Sequence, residues 1–190
     1  MSTRKQARRV IVLDTVIKLL ASRGLEGVTH RAIDELAELP QGSSSYYFPK
    51  KAQLLVETSR HLAELLEKDC DELQVGFAET VAKEGVDSAV DYVAREVISY
   101  ADNARDLFLA RMELTLASAR REELADVGEA LTAAARRPIE FFLQLISEGH
   151  SSMPIETCAA LIDGISLMYA TGQGPKPTTT QIAAVFRSIL

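Results

Sequence analysis

Apolar residues recur along the chain at spacings of three and four, the period of helices that bury one side, and breakers divide the pattern into about nine pieces. Val10, Leu13, Val16, Ile17 and Leu20 form one stripe, stopped by Gly24. Thr29 is a good N-cap for a second helix, with Ile33, Leu36 and Ala37 on one buried face. Leu39-Pro40-Gln41-Gly42 breaks that period, and a short helix from about Gly42 to Tyr47 ends at Phe48. Pro49 opens a long amphipathic helix running to about Leu73, and Gln74 to Gly85, bounded by Gly76 and Gly85, reads as a connector. A helix over 86–101 follows; Asp102-Asn103 is expected to break it and cap the next, over 104–119. Residues 122–148 form a further helix with a kink expected at Pro138 and a stop at Gly149. The last two run from Pro154 to Thr171 and, capped by Thr178 or Thr179, to Leu190. Alternating strand-like runs are absent, so the expected class is all-α: a three-helix head over 1–50 and a helical body over 51–190.

Composition agrees with a globular chain of 190 residues, 47% apolar and 25% charged. No apolar run approaches the 18 or more residues of a membrane helix. The start, MSTRKQARR, is basic but lacks a following apolar segment, so neither a signal peptide nor a membrane partner is expected and the location is cytoplasmic. Cys70 and Cys158 lie far apart with no metal-like spacing and read as buried thiols. The net charge of −6 opposes nucleic-acid binding only if taken whole. Residues 1–60 carry ten Lys or Arg against six acids, while the remainder carries eleven against twenty-one. That is a basic head on an acidic body.

The candidate chemistry lies in the head. Ser43, Ser44, Ser45, Tyr46 and Tyr47 are five consecutive hydroxyls, followed closely by Lys50 and Lys51. Such a row suits a partner rich in acceptors, as a phosphate backbone is. Thr29, His30 and Arg31 at a helix start suit a phosphate as well. The cations at Arg4, Lys5, Arg8 and Arg9 oppose their own helix dipole, which suggests placement for a partner. No phosphate-binding loop, metalloprotease motif or nucleophile elbow is present, and the three histidines are scattered. Neither catalysis, a metal nor a cofactor is expected.

The head resembles the DNA-binding domain of the TetR family of bacterial transcriptional regulators over about residues 6–57. The resemblance is carried by Gly24, Val28-Thr29, Ile33, Ala37, Gly42, Phe48, Lys51 and Leu54-Leu55. It implies a homodimer on a palindromic double-stranded operator, with a small-molecule effector bound in the body. It also implies phosphate contacts from Thr29, Arg31 and Lys51, and a recognition helix near Gly42–Tyr47 with Ser43, Ser44 and Tyr46 nearest the bases. With His30, Gln41, Ser45 and Tyr47 these make up the expected DNA surface. Two positions depart from the pattern: Glu38 stands where the turn usually has Gly, and Ser45 where it has Tyr, which shifts the expected phosphate contact to Tyr47. Tyr92, Phe108, Arg111, Met112, Phe141 and Phe142 are candidates for an apolar effector site, with simple core packing as the alternative for all but Arg111. Ala159, Ala160, Gly164, Ile165 and Met168 are candidates for close helix approach between two copies. A DNA-binding regulator without an effector, controlled by a partner protein or by abundance, is the second reading, and a small helical enzyme the third.

Overall fold

The computed structural model describes residues 3–146 and 154–188, and among these the regular elements are nine α-helices and two short 3-10 turns. The class is all-α, as expected. The helices are α1 (Thr3–Arg23), α2 (His30–Leu36), α3 (Ser43–Tyr47), α4 (Lys51–Glu84), α5 (Val86–Asn103), α6 (Arg105–Ser118), α7 (Ala125–Ile146), α8 (Ile155–Ala170) and α9 (Thr179–Arg187). The expected end of the seventh helix at 148, its stop at Gly149, and the last residues to Leu190 lie outside the described residues. The chain divides into two compact units. Contacts do not divide at residue 50: the first unit is Met1–Leu65 with Asp106–Thr132, the second Leu66–Arg105 with Ala133–Leu190.

In the first unit α1 is buried on a broad face, with Val12, Leu13, Val16, Ile17, Leu19 and Leu20 all inside. The 3-10 turn Leu25–Gly27 that follows is held to α6, Leu25 N–H donating to Glu113 Oε2 at 3.4 Å. Arg121 pairs with Glu26 at 3.1 Å. Two further contacts join α1 to α4: His61 Nε2 lies 2.7 Å from Asp14 Oδ1, and Arg9 lies 3.6 Å from Glu57. Leu36, expected on the buried stripe of α2, is 45% exposed. The face that α2 buries is set by Ile33 and Asp34, and Leu36, two residues beyond Asp34, lies about 160° from Asp34 around the helix.

In the second unit Phe77, Val90, Val93, Phe142, Ile162, Ile182 and Phe186 form a common core from α4, α5, α7, α8 and α9. The expected connector 74–85 is instead helix, the continuation of α4 to Glu84. Gly76 has a packing reason: a Cβ there would lie 2.0 Å from the Tyr92 hydroxyl oxygen, so glycine makes room for the tyrosine of α5. Asp102 and Asn103 do not break and cap as expected but complete α5. Asp102 takes a hydrogen bond from the Tyr169 hydroxyl at 2.6 Å and an ion pair with Lys176. These hydrogen bonds, that of Lys176 foremost, hold its carboxyl below the usual range. α7 continues through Pro138. Thr178 caps α9 by accepting from Gln181 N–H at 3.2 Å. Cys70 and Cys158 are free and buried, and burial pushes the Cys158 thiol up to about 11.

Candidate nucleic-acid interface

α2 and α3 form a helix-turn-helix whose geometry rests on one buried carboxylate. Asp34, only 4% exposed, reaches from α2 to the start of α3. Its Oδ2 accepts from Gly42 N–H at 2.7 Å and its Oδ1 from Ser44 N–H at 2.8 Å. The first amides of a helix have no partner within it, and Gly42 brings no side chain to cap α3. Asp34 supplies that cap from the preceding helix. The sequence hint was indirect: α3 lacks a capping side chain of its own, so its amides need an outside acceptor.

The turn passes through two left-handed residues, Glu38 at φ 53° and Gly42 at φ 89°. Glycine adopts that region freely, whereas a side chain there is strained. The glutamate departure therefore keeps the turn geometry at an energetic cost. At the start of α2, Thr29 accepts from Ala32 N–H at 3.1 Å and so acts as the expected N-cap.

The row of hydroxyls is not uniformly outward. Ser44, expected near the bases, is fully buried. Its hydroxyl donates to the His30 carbonyl at 3.2 Å and lies 3.2 Å from His30 Nδ1. With its one proton on the carbonyl, the hydroxyl is an acceptor toward the imidazole, a bond that the tautomer with hydrogen on Nδ1 completes. His30 and Ser44 thus tie α2 to α3; Ser44, expected at the DNA surface, has no exposed surface to present, whereas His30 remains half-buried. Helical geometry explains it: Ser44 and Phe48 are four apart on one face, and Phe48 is fully buried with the Arg9 guanidinium 4.5 Å from its ring. Ser43 donates to the Pro40 carbonyl at 2.6 Å and Ser45 to the Gly42 carbonyl at 3.0 Å. Both remain half-buried at the surface.

What stands out from the head is Gln41, Gly42 and Tyr46, the last 71% exposed. The Tyr46 ring meets Tyr47 edge-on at 5.2 Å and has the Lys5 ammonium 5.8 Å from its centroid. Arg4, Lys5, Arg31 and Lys50 are exposed cations of the same unit. Lys51 is half-buried and its ammonium donates to the Leu25 carbonyl at 2.9 Å. Its expected phosphate contact therefore competes with a structural bond, although an ammonium keeps two more donors.

The other candidates separate. Phe108, Arg111 and Met112 belong to the first unit, whereas Tyr92, Phe141 and Phe142 belong to the second. Phe108 and Arg111 are buried, with the guanidinium 5.1 Å from the ring. Phe142 is fully buried, its ring 4.7 Å from Phe77 and 5.5 Å from Phe141. None of the six lines the groove formed by Ala101, Asp102, Arg105 and Tyr169 to Gly172. On α8, Ala160, Gly164 and Met168 are exposed and Ile165 is half-buried, but Ala159 is 3% exposed. Five residues of helix rotate Ala159 by about 140° from Gly164, which turns it into the core beside Cys158 and Ile162 and corrects its place on a common strip. Among the described residues no cluster of His, Cys, Asp or Glu is placed to hold a metal ion, and no helix is long and apolar enough to cross a membrane.

Residues 84–190 match the family model of the tetracyclin repressor-like C-terminal domain. No curated protein sequence is similar enough to match. Among solved structures, a TetR-family member from Streptomyces coelicolor A3 is 22% identical, with a TM-score of 0.71 over 96% of this chain and 98% of that one. The multidrug binding protein EbrR complexed with malachite green is 22% identical, with a TM-score of 0.66 over 96% and 98%. A transcriptional regulator from Saccharomonospora viridis in complex with choline is 17% identical, with a TM-score of 0.65 over 96% and 94%. At such identities the likeness is one of fold, and it extends over nearly the whole chain. Together with the C-terminal match over more than half of its length, it identifies the chain as a member of the TetR family of bacterial transcriptional regulators.

Proposed function

We propose that the protein is a cytoplasmic repressor that binds a palindromic operator as a homodimer and leaves it when a small, mainly apolar ligand binds. The observation that carries the DNA reading is the head itself. An uncharged surface of Gln41, Gly42 and Tyr46 is presented by a helix-turn-helix within a unit that also exposes the cations Lys5 on α1, Arg31 on α2 and Lys50 just ahead of α4. Cations around a neutral reading surface suit a duplex, whose phosphates set register while base edges set sequence. Thr29, Arg31 and Tyr47 are the side chains we assign to phosphates. Two heads would occupy successive major grooves about 34–36 Å apart. An effector that favours another head spacing would draw the population away from DNA. α4 continues in one helix from the first unit into the second, and its 34 residues give it a length of about 51 Å. That continuity is what supports it as the lever.

Structures of the same fold with malachite green or choline bound support an effector. One observation favours the reading without one: Phe108, Arg111 and Phe142 are buried, as core residues would be. Thermal melts of the protein with small-molecule panels, read beside DNA release, separate the two.

The DNA reading is tested with fluorescently labelled duplexes from the region flanking the coding sequence. Arg31→Ala is expected to weaken binding to all duplexes and to lower the salt-dependence slope by about 1. An unchanged slope would show that the head does not lie on phosphates. Lys51→Ala is expected to lose stability together with affinity, because it also removes the bond to the Leu25 carbonyl.

A further inference from the structure

Residues 39–49 contain no charged side chain, so α3 and the segment leading into it from Leu39 carry no arginine or lysine to clamp the guanine edge, and the turn's one carboxylate is Glu38, ahead of that segment. What they carry instead is set by where the serine protons go. Ser43 gives its proton to the Pro40 carbonyl at 2.6 Å, Ser45 to the Gly42 carbonyl at 3.0 Å, and Ser44 is buried on His30. A hydroxyl whose proton is committed can only accept. Phosphate oxygens are acceptors as well, and therefore poor partners for Ser43 Oγ and Ser45 Oγ. In the major groove the exposed donors are the amino groups of adenine (N6) and cytosine (N4), while guanine offers only acceptors there. Gln41, exposed at the start of the same segment, has an amide that matches adenine N6 and N7 together. Tyr46, 71% exposed, presents a ring of the kind that packs on a thymine methyl, the complement of adenine.

We propose that the operator half-site is read mainly through adenine and cytosine amino groups, accepted by Ser43 Oγ, Ser45 Oγ and the Gln41 amide, and not through the guanine edge. This rests on the DNA-binding reading above and specifies which base chemistry that surface takes. Its consequence is a half-site in which an adenine or a cytosine faces each serine and an A·T pair faces Gln41 and Tyr46, with no bidentate clamp on guanine.

The test begins with selection from a random duplex library by the full chain. Failure to enrich any palindrome would overturn the DNA-binding reading itself, and this inference with it. With an enriched site in hand, each adenine and cytosine is replaced in turn by N6-methyladenine or N4-methylcytosine. These keep the base pair but substitute the groove-facing N–H. Each guanine is replaced by 7-deazaguanine. The expected result is a loss of affinity of about tenfold at one or two methylated positions and little change with 7-deazaguanine. In the Ser43→Ala/Ser45→Ala double variant the methylation penalty at the serine-read positions should shrink several-fold. Both serines are at the surface and alanine is a better helix former, and a melting curve verifies that the variant is folded. Losses confined to 7-deazaguanine, or a methylation penalty identical in wild type, the serine double variant and Gln41→Ala, would overturn the proposal while leaving the DNA-binding function standing.

Discussion

At the scale of single residues, the turn between α2 and α3 concentrates the energetics of the head. Glu38 at φ 53° occupies a region that costs a residue with a Cβ about 1–2 kcal/mol. Glycine escapes that cost but loses about 0.5–1 kcal/mol more backbone entropy on folding. Glu38→Gly is therefore expected to stabilise the protein by about 0.5–1 kcal/mol, seen as a raised urea midpoint with unchanged slope; a lowered midpoint would mean that the carboxylate has a role of its own. Asp34 is the opposite case. Asp34→Ala leaves two amides without their acceptor; that of Ser44 is buried, where an unsatisfied group costs about 1–3 kcal/mol, and that of exposed Gly42 loses its bond but can turn to water. The expected loss is about 2–4 kcal/mol, with Asp34→Asn intermediate because it retains one acceptor oxygen. Equal stability of all three proteins in denaturant would remove Asp34 from its capping role. The sequence announced Glu38 as a departure, because a missing glycine is visible in a one-dimensional pattern. It did not announce Asp34, whose partners are eight and ten residues away and whose burial is a matter of tertiary packing.

Among the helices, legibility follows how local the determining interaction is. The start of α9 and that of α2 were readable because Thr178 and Thr29 cap amides three residues ahead. The continuation of α4 past Leu73 was not, because Gly76 signals a breaker until Tyr92 of α5 is known to lie over it. The same applies to Asp102, which looks like a helix stop but is held by Tyr169 and Lys176, residues some seventy positions later. The Gly76 case gives a measurable contrast. In an open helix Gly→Ala gains about 1 kcal/mol. Here the added Cβ requires Tyr92 to move, so Gly76→Ala should gain less than that or lose stability. A double-mutant cycle with Tyr92→Ala should return a coupling of at least about 0.5 kcal/mol. Strict additivity would mean that the tyrosine swings aside at no cost and that the glycine needs another explanation.

At the scale of the whole molecule, the question is what the exposed apolar face of α8 is for. Leu161, Leu167 and Met168 are 45%, 38% and 49% exposed, and Ala160 and Gly164 are exposed as well, while Cys158, Ala159, Ile162, Ser166 and Ala170 are buried. A contiguous apolar strip of this kind usually marks an interface. Gly164 strengthens the argument because its own protomer does not need it. A Cβ there would meet nothing within 4 Å among the described residues, and alanine would favour the helix by about 1 kcal/mol. A mid-helix glycine that costs stability and relieves no internal contact is accounted for if another helix approaches closely, as in a two-fold dimer where the same face meets itself. Gly164→Leu should then leave the unfolding midpoint of the dilute protein unchanged or raised, while shifting sedimentation at micromolar concentration from dimer toward monomer. Operator affinity should fall in parallel, because two half-sites no longer bind as one, whereas affinity for a single half-site should hold. A wild-type chain that sediments as a monomer, or a Gly164→Leu dimer as tight as wild type, would require another partner for this face and another explanation of the glycine.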